Sequence, residues 1–107
     1  MTKEQLAALP AQIKTAAQAG LDAAAACPND GGSANLDRVV IRMRDMRESA
    51  VIGLPGYLTK ASTRHPRGLH LDTPFPGQGN QRAAGVRAMH KSLQDQGVDC
   101  YVYYQVD

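Results

Sequence analysis

The sequence predicts one α+β domain in which helices cover a small antiparallel sheet. Apolar side chains recur at helical spacing over residues 80–96, and over residues 98–107 they alternate with polar or tyrosine side chains as in a pleated strand. The length agrees with this class, because 107 residues can build a single core but not two. We therefore expect one domain over residues 1–107.

The first 27 residues predict an alanine-rich helical arm. Thr2 and Gln5 have the spacing of a capping box, and apolar residues follow at intervals of three and four. Pro10 interrupts the pattern, so we expect either a break near Leu9 or a kinked helix whose longer part covers residues 10–26. Residues 28–35 are rich in Asn, Asp and Gly and predict a loop, after which the α+β core occupies residues 36–107.

Residues 36–54 fit two interpretations. In a helix, their apolar side chains would form one stripe opposite several arginines. In a strand followed by a short helix at 45–54, Val39 and Ile41 would alternate with Val40 and Arg42. The second interpretation, with the strands that follow, gives the β-α-β-β-α-β order of a ferredoxin-like domain.

Two short strands are expected at 57–61 and 68–73, joined by a basic hairpin tip. Asn80 is the expected N-cap of the next helix. Gly97 is expected to end that helix in a left-handed conformation, with Val98 packing back on its last turn.

The closing strand carries Tyr101 and Tyr103 on the face opposite its apolar side chains. Large rings at such positions need cover, since tyrosine is usually buried with only its hydroxyl in water. Either another element of the chain packs on them, for which the N-terminal arm is a candidate, or they form an exposed binding face.

Composition excludes several classes of protein. The chain is 43% apolar and 21% charged, with no apolar run long enough to cross a bilayer and no hydrophobic signal core, so we expect a cytoplasmic protein, in the host cytoplasm if a phage encodes it. Cys27 and Cys100 are far apart, and His65, His70 and His90 lack the spacings of metal ligands. We therefore expect no metal, no cofactor and no enzymatic activity.

Charge is unevenly distributed along the chain. Residues 36–91 hold ten Lys or Arg against four acidic residues, a balance of +6, whereas the segments on either side are acidic. Such a basic stretch attracts phosphates or acidic protein surfaces, although a solvated helix face is the commoner explanation. The candidate partner-binding residues are Arg38, Arg42, Arg44, Arg64, Arg67, Arg82, Arg87, Tyr101 and Tyr103.

These observations favour a non-enzymatic binding protein that occupies a surface of a larger protein or ribonucleoprotein complex. A specific form of this hypothesis is a phage or mobile-element inhibitor of host defence, of the anti-CRISPR type. One alternative is a single-stranded nucleic-acid-binding protein that uses a basic, tyrosine-bearing sheet face. Another is a phage or cellular assembly component, which would associate with itself.

Overall fold

The chain folds as an α+β domain with a four-stranded antiparallel sheet, as the sequence predicts. The computed structural model describes residues 1–28, 36–44, 46–63, 65–75 and 79–104; the remainder of the predicted loop and residues 105–107 of the closing segment lie outside this range. The regular elements of the described part are α1 (Lys3–Ala26), β1 (Arg38–Arg42), a 3-10 helix (Glu48–Val51), β2 (Tyr57–Thr59), β3 (Gly68–His70), α2 (Asn80–Asp95) and β4 (Cys100–Tyr103).

The strand order is β2-β3-β1-β4, and every neighbouring pair is antiparallel. It follows that β1 runs parallel to β2 with β3 between them, and that β3 runs parallel to β4 with β1 between them. Both crossovers are therefore of the split type that the ferredoxin-like order requires. As far as the described residues go, an α-helix is present in the crossover from β3 to β4, where it is α2, and not in the crossover from β1 to β2.

Residues 38–42 form a strand, which decides between the two interpretations of this segment. The short helix expected at 45–54 is reduced to the four-residue 3-10 helix Glu48–Val51. Gly53, with φ of 90°, and Pro55 follow it closely and disfavour a longer helix. The α-helix that packs in the core together with α2 is instead α1, which precedes β1. The order of the α-helices and strands is therefore α-β-β-β-α-β and not β-α-β-β-α-β.

Helix α1 runs without a break through Pro10. Its N-terminus has the predicted capping box, in which Gln5 N donates to Thr2 Oγ1 at 3.0 Å and Thr2 N donates to Gln5 Oε1 at 2.7 Å. The buried residues of α1 are Leu9, Ile13, Ala16, Gly20 and Ala24. They belong to the core that also contains apolar residues of the sheet and of α2. Among the described residues, no helix combines the length and the apolar character needed to span a bilayer.

Helix α2 ends as the sequence predicts. Gly97 has φ of 84°, its N–H donates to Gln94 O at 2.9 Å, and Val98 N–H donates to Leu93 O at 2.9 Å. These two bonds define a Schellman motif. At the other end the N-cap is Gly79, one residue before the expected Asn80, which is already helical.

The two helices approach each other closely at two glycines. A Cβ atom on Gly85 would lie 2.6 Å from Cζ of Phe75, and one on Gly20 would lie 2.6 Å from Cγ of Met89. Distances this short exclude a side chain at either position without movement of its neighbours. The small residues therefore set the spacing of α1, α2 and the Phe75 ring above the sheet.

Candidate functional site

The register of the strands separates the side chains of the sheet into two faces. Leu69, Ile41 and Cys100 lie side by side on one face and are buried in the core that the helices complete. On the other face, Tyr103 pairs with Arg38, and His70 pairs with both Val40 and Tyr57. Because successive side chains of a strand point to opposite faces, Tyr101 and Tyr103 lie away from the helices.

Five rings form a connected series on this outer face. Tyr57 stacks on His70 with centroids 5.1 Å apart and planes inclined by 18°, and His70 lies 5.5 Å from Tyr103. His65 lies 4.9 Å from Tyr103 and stacks on Tyr101 at 5.9 Å with planes inclined by 3°. The series extends from the edge strand β2 to the opposite edge strand β4. We call these five residues, Tyr57, His65, His70, Tyr101 and Tyr103, the aromatic face.

His65, in the loop between β2 and β3, covers the rings of Tyr101 and Tyr103. This residue is positioned by Ser62, whose N–H donates to His65 O at 2.8 Å and whose Oγ accepts from His65 N at 3.2 Å. The N-terminal arm, which was the candidate cover, packs against α2 in the core instead.

Two of the predicted arginines flank the aromatic face. The guanidinium carbon of Arg38 lies 4.5 Å from the centroid of Tyr103, and that of Arg42 lies 4.7 Å from the centroid of Tyr101. Both distances are within the range of cation-π contacts. Arg42 also forms an ion pair with Asp99, with 2.6 Å between Nη1 and Oδ1.

Arg38 also determines the tautomer of His70. Its Nε donates to His70 Nδ1 at 2.8 Å, so the proton of the neutral ring resides on Nε2. Burial lowers the pKa of His70 below its ordinary value, and electrostatic interaction with Arg38 and with His65 lowers it further. The ring of His70 is therefore neutral at physiological pH and serves as a hydrogen-bond acceptor within the face.

The rings differ in their access to solvent. Tyr57 is 52% exposed, whereas His70 is buried and the other three rings are intermediate. The hydroxyl of Tyr101 is buried without a hydrogen-bond partner among the described residues, and burial raises its pKa. Tyr57 therefore offers the most open ring surface on this side of the sheet.

The other predicted arginines that the structure describes do not join this cluster. Arg82 donates two hydrogen bonds to Asp37 O, at 3.0 and 2.8 Å, and its pKa is lowered by burial. Arg67 Nε donates to Met46 O at 3.0 Å. Arg44 and Arg87 are exposed, the first beyond the end of β1 and the second on α2, and Arg64 lies outside the described residues. Among the described candidates, Arg38 and Arg42 share the outer face because they lie four residues apart on β1.

Sequence reasoning did not assign Tyr57, His65 and His70 to the site. The alternation of His70 with the apolar Leu69 and Leu71 was a usable signal for its face. For Tyr57 the deciding fact is its pairing with His70, and for His65 it is the path of the loop. Neither the strand pairing nor the path of the loop can be inferred from the spacing of side chains along the sequence.

A groove of about 540 Å³ adjoins the aromatic face at the end of β1. We call it the strand-end groove. Its walls come from α1, from the end of β1 and from the turn between α2 and β4, and they comprise Met1, Gln5, Leu9, Gln12, Arg42, Arg44, Gly97, Val98 and Asp99. Arg42 and Asp99 thus belong to the groove wall as well as to the border of the aromatic face.

In the described part of the chain, no three His, Cys, Asp or Glu side chains converge as metal ligands. The two cysteines do not form a disulfide with each other. Burial raises the pKa of Cys100 to about 11, so this thiol is protonated at neutral pH and behaves as a small apolar side chain. The chemistry that the described outer face offers is stacking, hydrogen bonding and positive charge.

Comparisons with protein-family models, with curated proteins and with solved structures give no significant match to this chain.

Proposed function

We propose that this protein is a non-enzymatic binding protein that binds single-stranded nucleic acid on its aromatic face. The observation that carries the proposal is the ring series from β2 to β4 with two guanidinium groups in contact with it. Proteins that bind single strands combine aromatic side chains, on which bases stack, with cations that follow the phosphates.

The arrangement suits single strands better than duplexes. Bases can stack on a protein ring only when they are unstacked from their own neighbours, which a single strand permits at low cost. Tyr57 presents an open ring surface for one base, and at the opposite end of the ring series Arg42 lies over the ring of Tyr101, where a phosphate of the same strand can approach it. The ordering of Tyr57 against His70 reduces the entropy that binding would otherwise cost.

The hypothesis of an inhibitor that occupies a protein or ribonucleoprotein complex stays a prediction. It relied on one continuous basic strip, and the described arginines of that strip are divided between the outer face, the end of β1 and the loop before β3. A guide strand within such a complex would present the same bases and phosphates to the aromatic face. Binding to isolated strands is therefore the first property to measure.

The test is a fluorescence-anisotropy titration with short, labelled DNA and RNA strands of mixed sequence, at about 50 and about 200 mM salt. We expect binding at low salt that weakens at high salt. Tyr57→Ala should weaken it by roughly 5- to 150-fold, which corresponds to about 1–3 kcal/mol for one stacked base. Tyr104→Ala is the matched control, because Tyr104 is 74% exposed and has no ring contact among the described residues.

Absence of binding to any strand at low salt would end this proposal. Equal losses in the two tyrosine variants would also contradict it, because the effect would then not depend on the aromatic face. Circular dichroism spectra of both variants should match that of the parent protein, since each removed ring is largely exposed.

A further inference from the structure

We propose that the strand-end groove binds a nucleotide that carries a phosphate monoester, and that on a bound single strand this is the terminal nucleotide. The inference deepens the proposed function and rests on it for the strand, whereas the groove itself can be tested with free nucleotides. It assigns a role to Arg44, which lies outside the aromatic face.

The size of the groove suits a ligand larger than an ion. Its volume of about 540 Å³ falls within the range of small-molecule sites, about 300–1,000 Å³. The lining includes two apolar residues, the half-buried Val98 and the buried Leu9. Gln5 and Gln12, two turns apart on α1, bring amide groups to the same side. A base or ribose has the matching mixture of apolar faces and polar edges.

The charge of the groove suits an anion. Its wall contains the guanidinium groups of Arg42 and Arg44 and the carboxylate of Asp99, which leaves these side chains with one net positive charge. Asp99 is paired with Arg42. Arg44 is exposed and, within the described residues, forms no ion pair. A guanidinium group binds phosphate oxygens with two parallel hydrogen bonds, so Arg44 is the group that we expect to hold the monoester.

The position of the groove indicates which nucleotide of a strand would reach it. Arg42 contacts the ring of Tyr101 on the aromatic face and also lines the groove. The groove therefore adjoins the end of the ring series at Tyr101. Arg44 lies two residues beyond Arg42 in the same wall, so the last nucleotide of a strand on the aromatic face can lie beside it.

The first experiment compares three strands of identical sequence that differ only at their ends, with a 5′-phosphate, a 3′-phosphate or hydroxyl groups alone. We expect one of the phosphorylated strands to bind about tenfold more tightly than the hydroxyl strand, as a charged hydrogen-bonded pair permits. Arg44→Ala should remove this preference, because the variant lacks the guanidinium group that holds the monoester. Arg87→Ala, which removes an exposed arginine from α2, should leave the preference and the affinity for the hydroxyl strand unchanged.

The second experiment titrates a nucleoside 5′-monophosphate, a nucleoside 3′-monophosphate and the nucleoside into ¹⁵N-labelled protein. We expect one of the monophosphates to shift the amide resonances of Gly97 and Val98, and Arg44→Ala to abolish these shifts. If they occur while no strand binds, the groove is supported and the proposed function fails. If strands bind without any preference for a phosphorylated end, or with a preference that survives Arg44→Ala, this inference fails and the proposed function stands.

Discussion

The guanidinium group of Arg38 donates a hydrogen bond of 2.8 Å from Nε to Nδ1 of His70, across the pair of central strands β1 and β3. The same guanidinium lies over the ring of Tyr103. One arginine therefore connects three strands on the outer face, and it does so only while His70 is neutral. This dependence on a proton leads to the first prediction.

The stability of the protein should fall as the pH decreases below about 6.5. The pKa of His70 is lowered from its ordinary value of 6.5 in the folded state, so the unfolded chain takes up the proton first and is favoured as the pH drops from 6.5 to the lowered value. His70→Gln keeps a side-chain acceptor for Arg38 but does not titrate. Urea denaturation between pH 5 and pH 8 should show a smaller pH dependence for this variant, and an unchanged dependence would contradict the assignment.

Neutralising Asp99 should strengthen the binding of single strands. Asp99 holds Arg42 in an exposed ion pair, so Asp99→Asn makes the guanidinium available to a phosphate. We expect tighter binding at low salt and a salt dependence that is steeper by about 0.7 in the logarithmic slope, the value of one added phosphate contact.

Asp95→Asn is the matched control for this change. Asp95 is also exposed and paired, with Lys91 at 3.1 Å, but it lies on α2. The two variants remove the same charge, so a general electrostatic effect would raise the affinity of both equally, contrary to the prediction. Neither should alter stability by more than about 1 kcal/mol, since exposed ion pairs contribute little.

Gly85→Ala should destabilise the fold although alanine is the better helix former. The added methyl group would lie within 2.6–2.7 Å of three atoms of the Phe75 ring. Overpacking of this kind costs about 1–3 kcal/mol, more than the gain of about 1 kcal/mol in helix propensity. Guanidinium denaturation should show a lower midpoint. Gln94→Ala, on an exposed position of α2, is the control and should not lower it.

The two cysteines should differ in reactivity. Burial raises the pKa of the Cys100 thiol to about 11, whereas Cys27 is only half-buried beyond the end of α1. In the native protein at neutral pH, iodoacetamide should therefore label Cys27 well before Cys100, as peptide mass spectrometry would show. Equal rates would mean that β4 opens readily.

Because the unfolded thiol of Cys100 ionises near pH 9.0, the stability of the protein should also be lost as the pH rises from 9 to 11.

The elements that could be predicted well are those whose signals are local. The end of α2 depends on bonds among residues 93–98, and Gly97 is the residue type that its left-handed conformation favours. The strand at 100–103 follows from an alternation that is visible without knowledge of its neighbours. The capping box of α1 involves only residues 2–5.

The site was predicted only in part. Tyr101 and Tyr103 were placed correctly on the non-apolar face of their strand, and Arg38 and Arg42 do share that face. The other described arginines of the predicted patch do not join them, since Arg82, for example, is engaged with Asp37 O and Arg87 lies on a helix. Charge counted along a chain does not tell which side of a fold each cation occupies.

The sequence by itself determined the class of the fold, the helix at its N-terminus, the Schellman end of α2 and the tyrosine-bearing strand, since each depends on hydrogen bonds or side-chain periods that span a few residues. Only the tertiary structure decided that α1 covers the apolar face, that Tyr57 and His70 join the tyrosines on the outer face, and that His65 covers them. These outcomes depend on the pairing of segments that are distant in the chain. Such pairing is selected by the burial of the whole apolar surface, a quantity that no single segment contains.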